Sequence, residues 1–425
     1  MKAVIMAGGK GTRIASIAED IPKPMIPIQG KPILEYQIES LKEQAITEII
    51  IVIGHLAQKI VDYFGDGAKW GVSIQYYTEE KPLGTAGALA FFADDLTDDF
   101  LLLNGDIILD VDFLRMFQYH KKKGGKATIL THPNNHPYDS GLIITNQEMQ
   151  VIKWLHKEEE RTFYKNRVNA GVHILTKEAL KEIVAGEKTD LDRQVLRRLL
   201  EEGILYAYDS PEYVKDMGTP ERYQKVSADI ISGKYKRRNL REKQKAIFLD
   251  RDGTINRLKG FIRSPEDLEL IDGAAEAIKL INDSDYLAIV VTNQPVIARG
   301  ECTLEELEEI HNKMETLLGN EGAYIDDIFF CPHHPDKGFA GEVPEYKIEC
   351  DCRKPKNGLF KKAAEKYNID LSQSYMIGDH DRDIQAGINA GCKDSILVAS
   401  DNQEGSTLTF SNLLEVVKNI LQGGY

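Results

Sequence analysis

K-A-V-I-M-A-G-G-K-G-T-R (residues 2–13) and K-A-I-F-L-D-R-D-G-T (residues 245–254) each run an apolar strand into a loop suited to phosphate. In the first, Gly8, Gly9 and Gly11, followed by Thr12 and Arg13, let the backbone approach a polyphosphate and point N–H groups at it. In the second, Asp250 and Asp252 stand two residues apart at the strand's carboxyl end, so continued strand geometry projects both carboxylates to one side. The first arrangement suits holding a nucleotide's phosphates, and the second suits attacking a phosphate. Together they point to consecutive steps on one phosphorylated metabolite.

Outward from the first start, apolar runs at 3–7, 48–53, 73–77, 100–103 and 126–131 read as strands. Helical spacing fills 32–44, 57–64, 86–92 and 111–122 between them. The second start leads into strands near 246–249, 287–291, 325–330 and 375–377. The alternation predicts an α/β chain of two domains, each a mostly parallel sheet flanked by helices. A polar, basic stretch, S-G-K-Y-K-R-R-N-L-R-E-K-Q, divides them, giving domains 1–232 and 245–425 with a linker at 233–244 whose basic run is expected in solvent.

A chain of 425 residues supports two or three cores, and a net charge of −14 argues against nucleic-acid or anionic-membrane partners. The apolar run 4–7 is too short for a signal-peptide core, and no segment approaches the ~20 apolar residues of a membrane span. A cytoplasmic location is expected, and a homo-oligomer is compatible with this composition. Three of the five cysteines, Cys331, Cys350 and Cys352, lie close to His333 in sequence. Three thiolates and one imidazole make a closed tetrahedral set suited to structural Zn²⁺ in a reducing compartment.

The Gly-rich loop is neither a dinucleotide fingerprint nor a P-loop. Further along, Lys23 is held between Pro22 and Pro24. With I-P-K-P-M, E-K-P-L-G-T-A-G-A-L (80–89), L-N-G-D (103–106), V-N-A-G-V (168–172) and K-D-M-G-T-P (215–220), residues 1–230 resemble the sugar-phosphate nucleotidyltransferases. The resemblance implies a Rossmann-like domain in which Gly8, Gly9, Gly11, Thr12 and Arg13 bind the nucleotide triphosphate and Lys23 holds the transferring phosphate. It places Gly84, Thr85 and Gly87 near base and sugar, Asn169 and Gly171 on the sugar, and Asp106 and Asp216 on Mg²⁺. Hard carboxylate oxygens are what Mg²⁺ prefers. The family's Glu-Lys sugar-phosphate grip reads His156-Lys157 here, so Lys157 is expected to keep that role without the Glu. Read without the resemblance, Asn104-Gly105 is also a turn signal and Thr219-Pro220 a helix cap.

At the second start, one carboxylate of an Asp pair can attack phosphorus while the other protonates the leaving oxygen and then activates water. V-V-T-N-Q (290–294), C-R-K-P (352–355) and M-I-G-D-H-D-R-D (376–383) extend the pattern, and residues 245–400 resemble the haloacid dehalogenase superfamily of phosphatases. The resemblance implies that Asp250 is the nucleophile and Asp252 the general acid/base. Thr292, Asn293 and Lys354 would bind phosphate, and Asp379 would complete a Mg²⁺ site with Asp250 and the Asp252 carbonyl. Asp383 is expected to support the loop. C-P-H-H-P, C-D-C-R-K-P and V-T-N-Q-P-V-I-A-R-G resemble the heptose bisphosphate and histidinol phosphatase subgroup, in which Arg353 would hold a second phosphate. Pro295 and His380 depart from that subgroup's usual Ser and Lys. The fusion implies hydrolysis of a heptose 1,7-bisphosphate to the 1-phosphate, then guanylyl transfer from GTP to give GDP-heptose and pyrophosphate. The alternatives are the same chemistries on another sugar phosphate and nucleotide, or a sugar-nucleotide sensor with one inactive domain.

Overall fold

A computed structural model describes residues 1–9, 20–338, 340–398 and 410–423. The chain divides into two compact units. The first comprises Met1–His132, Ile143–Leu155 and Asn169–Asn239, and the second Pro133–Leu142, His156–Val168 and Leu240–Tyr425.

In the first unit, the strand Lys2–Met6 lies at the centre of a mixed sheet. It pairs in parallel with Glu48–Ile53 on one side and Asp99–Asn104 on the other. Ser73–Thr78 extends the parallel part, while Val168–Thr176 adds to Asp99–Asn104 in the antiparallel sense. Ala3, Val4 and Ile5 are fully buried, so both faces of the central strand meet apolar layers. That is why the segment reads as an unbroken apolar run rather than an alternating one. The helices Ile33–Glu43, Ala57–Phe64 and Phe113–Lys123 match the expected spacing, whereas the third expected helix is a 3₁₀ segment, Gly87–Asp95. A separate two-stranded ladder pairs Ile107–Asp110 with Tyr213–Asp216.

The basic run after residue 232 is exposed at Lys236, Arg237, Arg241 and Lys243, as expected, but not throughout. Lys234, Tyr235, Arg238, Asn239 and Leu240 are buried, and Lys234–Arg237 is helical. Tyr235 packs edge-on against Tyr36 and Tyr213, and Asn239 donates to Asp110 Oδ1 at 2.8 Å. One aromatic ring and one amide anchor a segment whose charge pattern alone suggests solvent.

In the second unit, five parallel strands run in the order Asp327–Cys331, Tyr286–Asn293, Lys245–Leu249, Tyr375–Gly378, Asp394–Leu397. The central three end at the Asp250, Thr292 and Asp379 loops, so topology brings residues far apart in sequence to one sheet edge. Segment His156–Val168 belongs to this unit through a buried network. Asn166 N donates to Glu315 Oε2 at 2.9 Å, Arg167 pairs with the same carboxylate at 3.3 Å, and Tyr164 N donates to Thr316 Oγ1 at 3.0 Å. No helix among the described residues is long and apolar enough to cross a membrane.

Candidate active sites

In the first unit, the strand Lys2–Met6 delivers Gly8 and Gly9 at its carboxyl end. Glu79 packs so closely on Gly8 that a Cβ there would collide with its carboxylate. Gly11, Thr12 and Arg13 lie outside the described residues. Lys23 forms an ion pair with Asp106, which occupies the turn between Asp99–Asn104 and Ile107–Asp110. Asp216 pairs in register with Ile107, the residue after Asp106, and the Lys23 charge that pairs with Asp106 also acts on Asp216. Burial raises the proton affinity of Asp216. Bidentate contact with Arg222 at 2.8 Å, the Gly218 N–H and the Lys23 charge outweigh it and hold the group below its usual range.

Thr219 caps the helix Pro220–Ile231, as its bare sequence suggests, and that helix carries Arg222. Gly84 and Gly87 both lie against the backbone of residues 187–189, where any Cβ would strike a carbonyl. Thr85 Oγ1 accepts from Leu191 N at 2.7 Å. The same segment carries Asp192, whose carboxyl burial and neighbouring Asp190 push up to about 6, at 3.4 Å from Asn169 Nδ2. Asn169 Oδ1 also accepts from Gly171 N at 3.2 Å. Lys157 is exposed in a turn of the segment that clusters with the second unit.

In the second unit the expected residues converge. Lys354 Nζ lies 2.8 Å from Asp250 Oδ1 and 2.7 Å from Asp383 Oδ1, and donates to the Val291 carbonyl at 2.8 Å. Burial opposes the Lys354 charge, but the two carboxylates outweigh it and keep the ammonium protonated. Asn293 and Lys354 exchange hydrogen bonds, Nδ2 to the Lys354 carbonyl at 3.1 Å and Lys354 N to Oδ1 at 3.0 Å.

Carboxylate oxygens of Asp250, Asp379 and Asp383 fall within 4.8 Å of one another. One ammonium does not balance three carboxylates. Burial, with Asp250 and Asp383 next, pushes Asp379 up to about 7, and burial likewise raises Asp250. Gly253, at φ +84°, leaves room that any Cβ would take from the Asp379 carboxylate. A crowded, under-neutralised carboxylate set of hard oxygens fits a divalent cation. Asp383 has two roles rather than the loop role alone. Its Oδ2 accepts from His380 N at 3.2 Å while Oδ1 meets Lys354. His380 caps the helix Asp381–Ala390 by accepting from Arg382 N at 3.2 Å.

Asp252 sits in an opposite setting. Arg251, fully buried, grips it through Nε at 3.0 Å and Nη2 at 2.9 Å. Asn256 and Gln294 add bonds at 3.0 and 2.8 Å. Burial works against the charge, but Arg251 and these donors hold Asp252 below its usual range. Arg251, Asn256, Gln294, Arg222 and Asp192 were not anticipated from sequence. The only available signal was adjacency to motif residues, Arg251 between the two aspartates and Gln294 after T-N.

The Cys331, His333, Cys350 and Cys352 donors form one cluster able to hold a metal ion. Sulfur separations are 3.6 Å for Cys331–Cys350 and 3.3 Å for Cys331–Cys352, with His333 Nδ1 at 3.3 Å from Cys352 and 3.7 Å from Cys331. A tetrahedral ion with ~2.3 Å bonds to sulfur spaces its ligands by ~3.7 Å. The contact between Cys331 and Cys352 pulls the Cys352 thiol down and pushes the Cys331 thiol up, as two sulfurs sharing one proton do. Arg353, next in sequence, donates to the His333 carbonyl at 3.2 Å.

Residues 2–233 match the nucleotidyl transferase family model, and residues 351–421 match the HAD-hydrolase-like model. The chain is 33% identical over 228 residues to a probable mannose-1-phosphate guanylyltransferase of Oryza sativa, covering 52% of the chain and 63% of that protein. It is 32% identical over 251 residues to a UTP–glucose-1-phosphate uridylyltransferase of Synechocystis, covering 56% of the chain and 65% of that protein. The chain thus spans less than two thirds of these transferases. Against the D-glycero-beta-D-manno-heptose-1,7-bisphosphate 7-phosphatase of Haemophilus ducreyi, identity is 38% over 181 residues, 41% of the chain and 97% of that protein.

Proposed function

Because the chain belongs to the nucleotidyl transferase family through residues 2–233, and in its second half to the family of HAD-type phosphatases that includes the Haemophilus ducreyi relative, we propose that it is a bifunctional enzyme of nucleotide-sugar synthesis. Its second half hydrolyses D-glycero-D-manno-heptose 1,7-bisphosphate at the remote phosphate. Its first half joins the resulting 1-phosphate to GTP, releasing pyrophosphate. The observation that carries the reading is one chain holding both the Lys23–Asp106 pair and the Asp250–Lys354–Asp383 network. The heptose is supported by what the 38% identical relative acts on, and guanine by the Oryza relative.

In the hydrolytic half, Asp250 attacks phosphorus, the ester P–O bond breaks, and Lys354, Thr292 and Asn293 balance charge on the phosphoryl oxygens. Asp252 delivers a proton to the leaving oxygen, then takes one from the water that cleaves the aspartyl phosphate. An incoming phosphate raises the proton affinity of Asp252 by like-charge repulsion, which suits it to that task. Arg353 grips the phosphate that stays, since guanidinium binds phosphate bidentately. In the transfer half, Lys23 and Arg13 neutralise the phosphates, Gly8, Gly9, Gly11 and Thr12 cradle the triphosphate, and Gly84, Thr85 and Gly87 receive base and sugar. Asn169 and Gly171 contact the sugar. Mg²⁺ on Asp106 and Asp216, and on Asp250, the Asp252 carbonyl and Asp379, would supply charge neutralisation at each centre. The Cys331–His333–Cys350–Cys352 cluster holds Zn²⁺ and pins the intervening loop. A cytoplasmic location fits a GTP-consuming enzyme.

Release of phosphate and pyrophosphate across heptose, mannose and glucose phosphates with GTP, UTP and dTTP tests the reading. Selective turnover of the heptose bisphosphate with GTP supports it. Equal or better turnover of mannose or glucose 1-phosphate with no hydrolysis of the bisphosphate contradicts it.

Two metal predictions follow from local charge. Asp379 titrates at about 7 in the fold, above an unfolded value of about 4. The folded state therefore binds the extra proton between those values, and this stabilising contribution fades as pH rises through about 7. In magnesium-free buffer the melting temperature should fall over that window, and Mg²⁺ should restore it most at the alkaline end. Equal Mg²⁺ stabilisation at pH 5 and pH 8 would contradict the assignment. Separately, Cys350→Ser should lower bound zinc from about one equivalent and reduce phosphatase activity about tenfold or more, with transfer unchanged. Purified protein lacking zinc yet fully active as a phosphatase would refute the structural-zinc assignment.

A further inference from the structure

Gln294 is 2% exposed and follows directly on the strand Tyr286–Asn293. Its backbone N–H donates to the Cys331 carbonyl at 2.8 Å, which fixes where the side chain starts. Every polar position of that side chain is then used. Nε2 donates to Asp252 Oδ2 at 2.8 Å and to Thr292 Oγ1 at 2.9 Å, and Oε1 accepts from Arg251 Nη2 at 3.1 Å. The orientation of the amide is forced by its neighbours. Reversed, it would set its oxygen against the Asp252 carboxylate and its N–H groups against the Arg251 guanidinium.

One consequence concerns Thr292. A hydroxyl has one proton and accepts through its lone pairs. With Gln294 donating to Thr292 Oγ1, the hydroxyl proton has no reason to turn back toward the amide nitrogen and is directed elsewhere. The second consequence concerns Asp252. Of its two oxygens, Oδ1 takes bonds from Arg251 and Asn256, while Oδ2 takes Arg251 and Gln294. Removing the amide loosens Oδ2, the Asp252 oxygen that shares a donor with Thr292.

Resting on the phosphatase reading above, we propose that Gln294 is a positioning residue that sets the Thr292 hydroxyl as a donor to the transferring phosphoryl group and at the same time fixes the Asp252 carboxylate. Gln294 itself touches no reacting atom. It couples a group that donates to the phosphoryl oxygens to the group that moves the proton, through a single amide.

The test is a double-mutant cycle in the full chain with heptose 1,7-bisphosphate and, as a second probe, p-nitrophenyl phosphate. Gln294→Met keeps length and removes the polar atoms. It should lower kcat about 30- to 100-fold, on the scale of losing an oriented donor, with KM changed much less. Thr292→Val should cost a similar factor alone and little more in the Gln294→Met background, because the hydroxyl is already misdirected there. Independent, multiplying losses would overturn the proposal, as would full kcat in Gln294→Met. If Gln294→Met unfolds at the assay temperature, the same cycle is run on Gln294→Glu, which keeps the shape and replaces the donor with an acceptor. There too, non-additivity with Thr292→Val supports the coupling and additivity overturns it. Wild-type protein inactive on both probes would remove the phosphatase reading instead, so the two failures are distinguishable.

Discussion

Asp250→Asn is expected to abolish phosphate release, by about 10⁴-fold or more, while a supplied sugar 1-phosphate is still joined to nucleotide at the wild-type rate. The substitution keeps the shape of a buried side chain and turns the carboxylate proposed to attack phosphorus into an amide. An amide cannot form the acyl phosphate, so the loss is one of chemistry rather than of affinity. Folding should survive, because Asp383 still pairs with Lys354 at 2.7 Å and the ammonium keeps the Val291 carbonyl. Phosphate release is read by a coupled assay and transfer by pyrophosphate release on the same preparation. Residual hydrolysis within tenfold of wild type would show that another residue attacks phosphorus.

Asp106→Asn is expected to give the opposite pattern, a loss of transfer by about 10³-fold with hydrolysis intact. Asp106 holds Lys23, and Asp216, which pairs in register with the next residue, Ile107, is committed to Arg222. Removing the Asp106 charge therefore frees Lys23 and halves the carboxylate charge offered to a cation in one step. Raising Mg²⁺ should recover part of the rate, since a weakened cation site is filled by mass action. A variant that transfers normally at low Mg²⁺ would remove Asp106 from the site, and one that also lost hydrolysis with its fold intact would sink the separation of the two chemistries.

Much of this arrangement is legible in the chain. The runs 3–5 and 246–249 are apolar on both faces because each strand lies between two layers, and that burial is what an unbroken apolar run records. The aspartates, Lys354 and the cysteine set are chemically distinctive at fixed spacing, so sequence finds them and the fold brings Asp250, Asp379, Asp383 and Lys354 together. Less legible are residues whose meaning depends on distant partners. Gln294 looks like an ordinary polar neighbour until strand register sets it on Asp252 and Arg251. Asp192 becomes notable only because the helical segment Leu191–Leu196 returns to Asn169. The stretch 233–244 misleads because six basic residues outweigh the two apolar ones that anchor it, Tyr235 and Leu240.

The central claim is an order of events on one substrate: the remote phosphate leaves first, and the anomeric phosphate survives to receive the nucleotide. Phosphorus NMR of heptose 1,7-bisphosphate with the wild-type protein, first alone and then with GTP, reads that order directly. The account predicts loss of the C7 signal with the C1 signal intact, followed by the paired resonances of a sugar diphosphate once GTP is added. Loss of the C1 signal first, or no change in the bisphosphate, would contradict it.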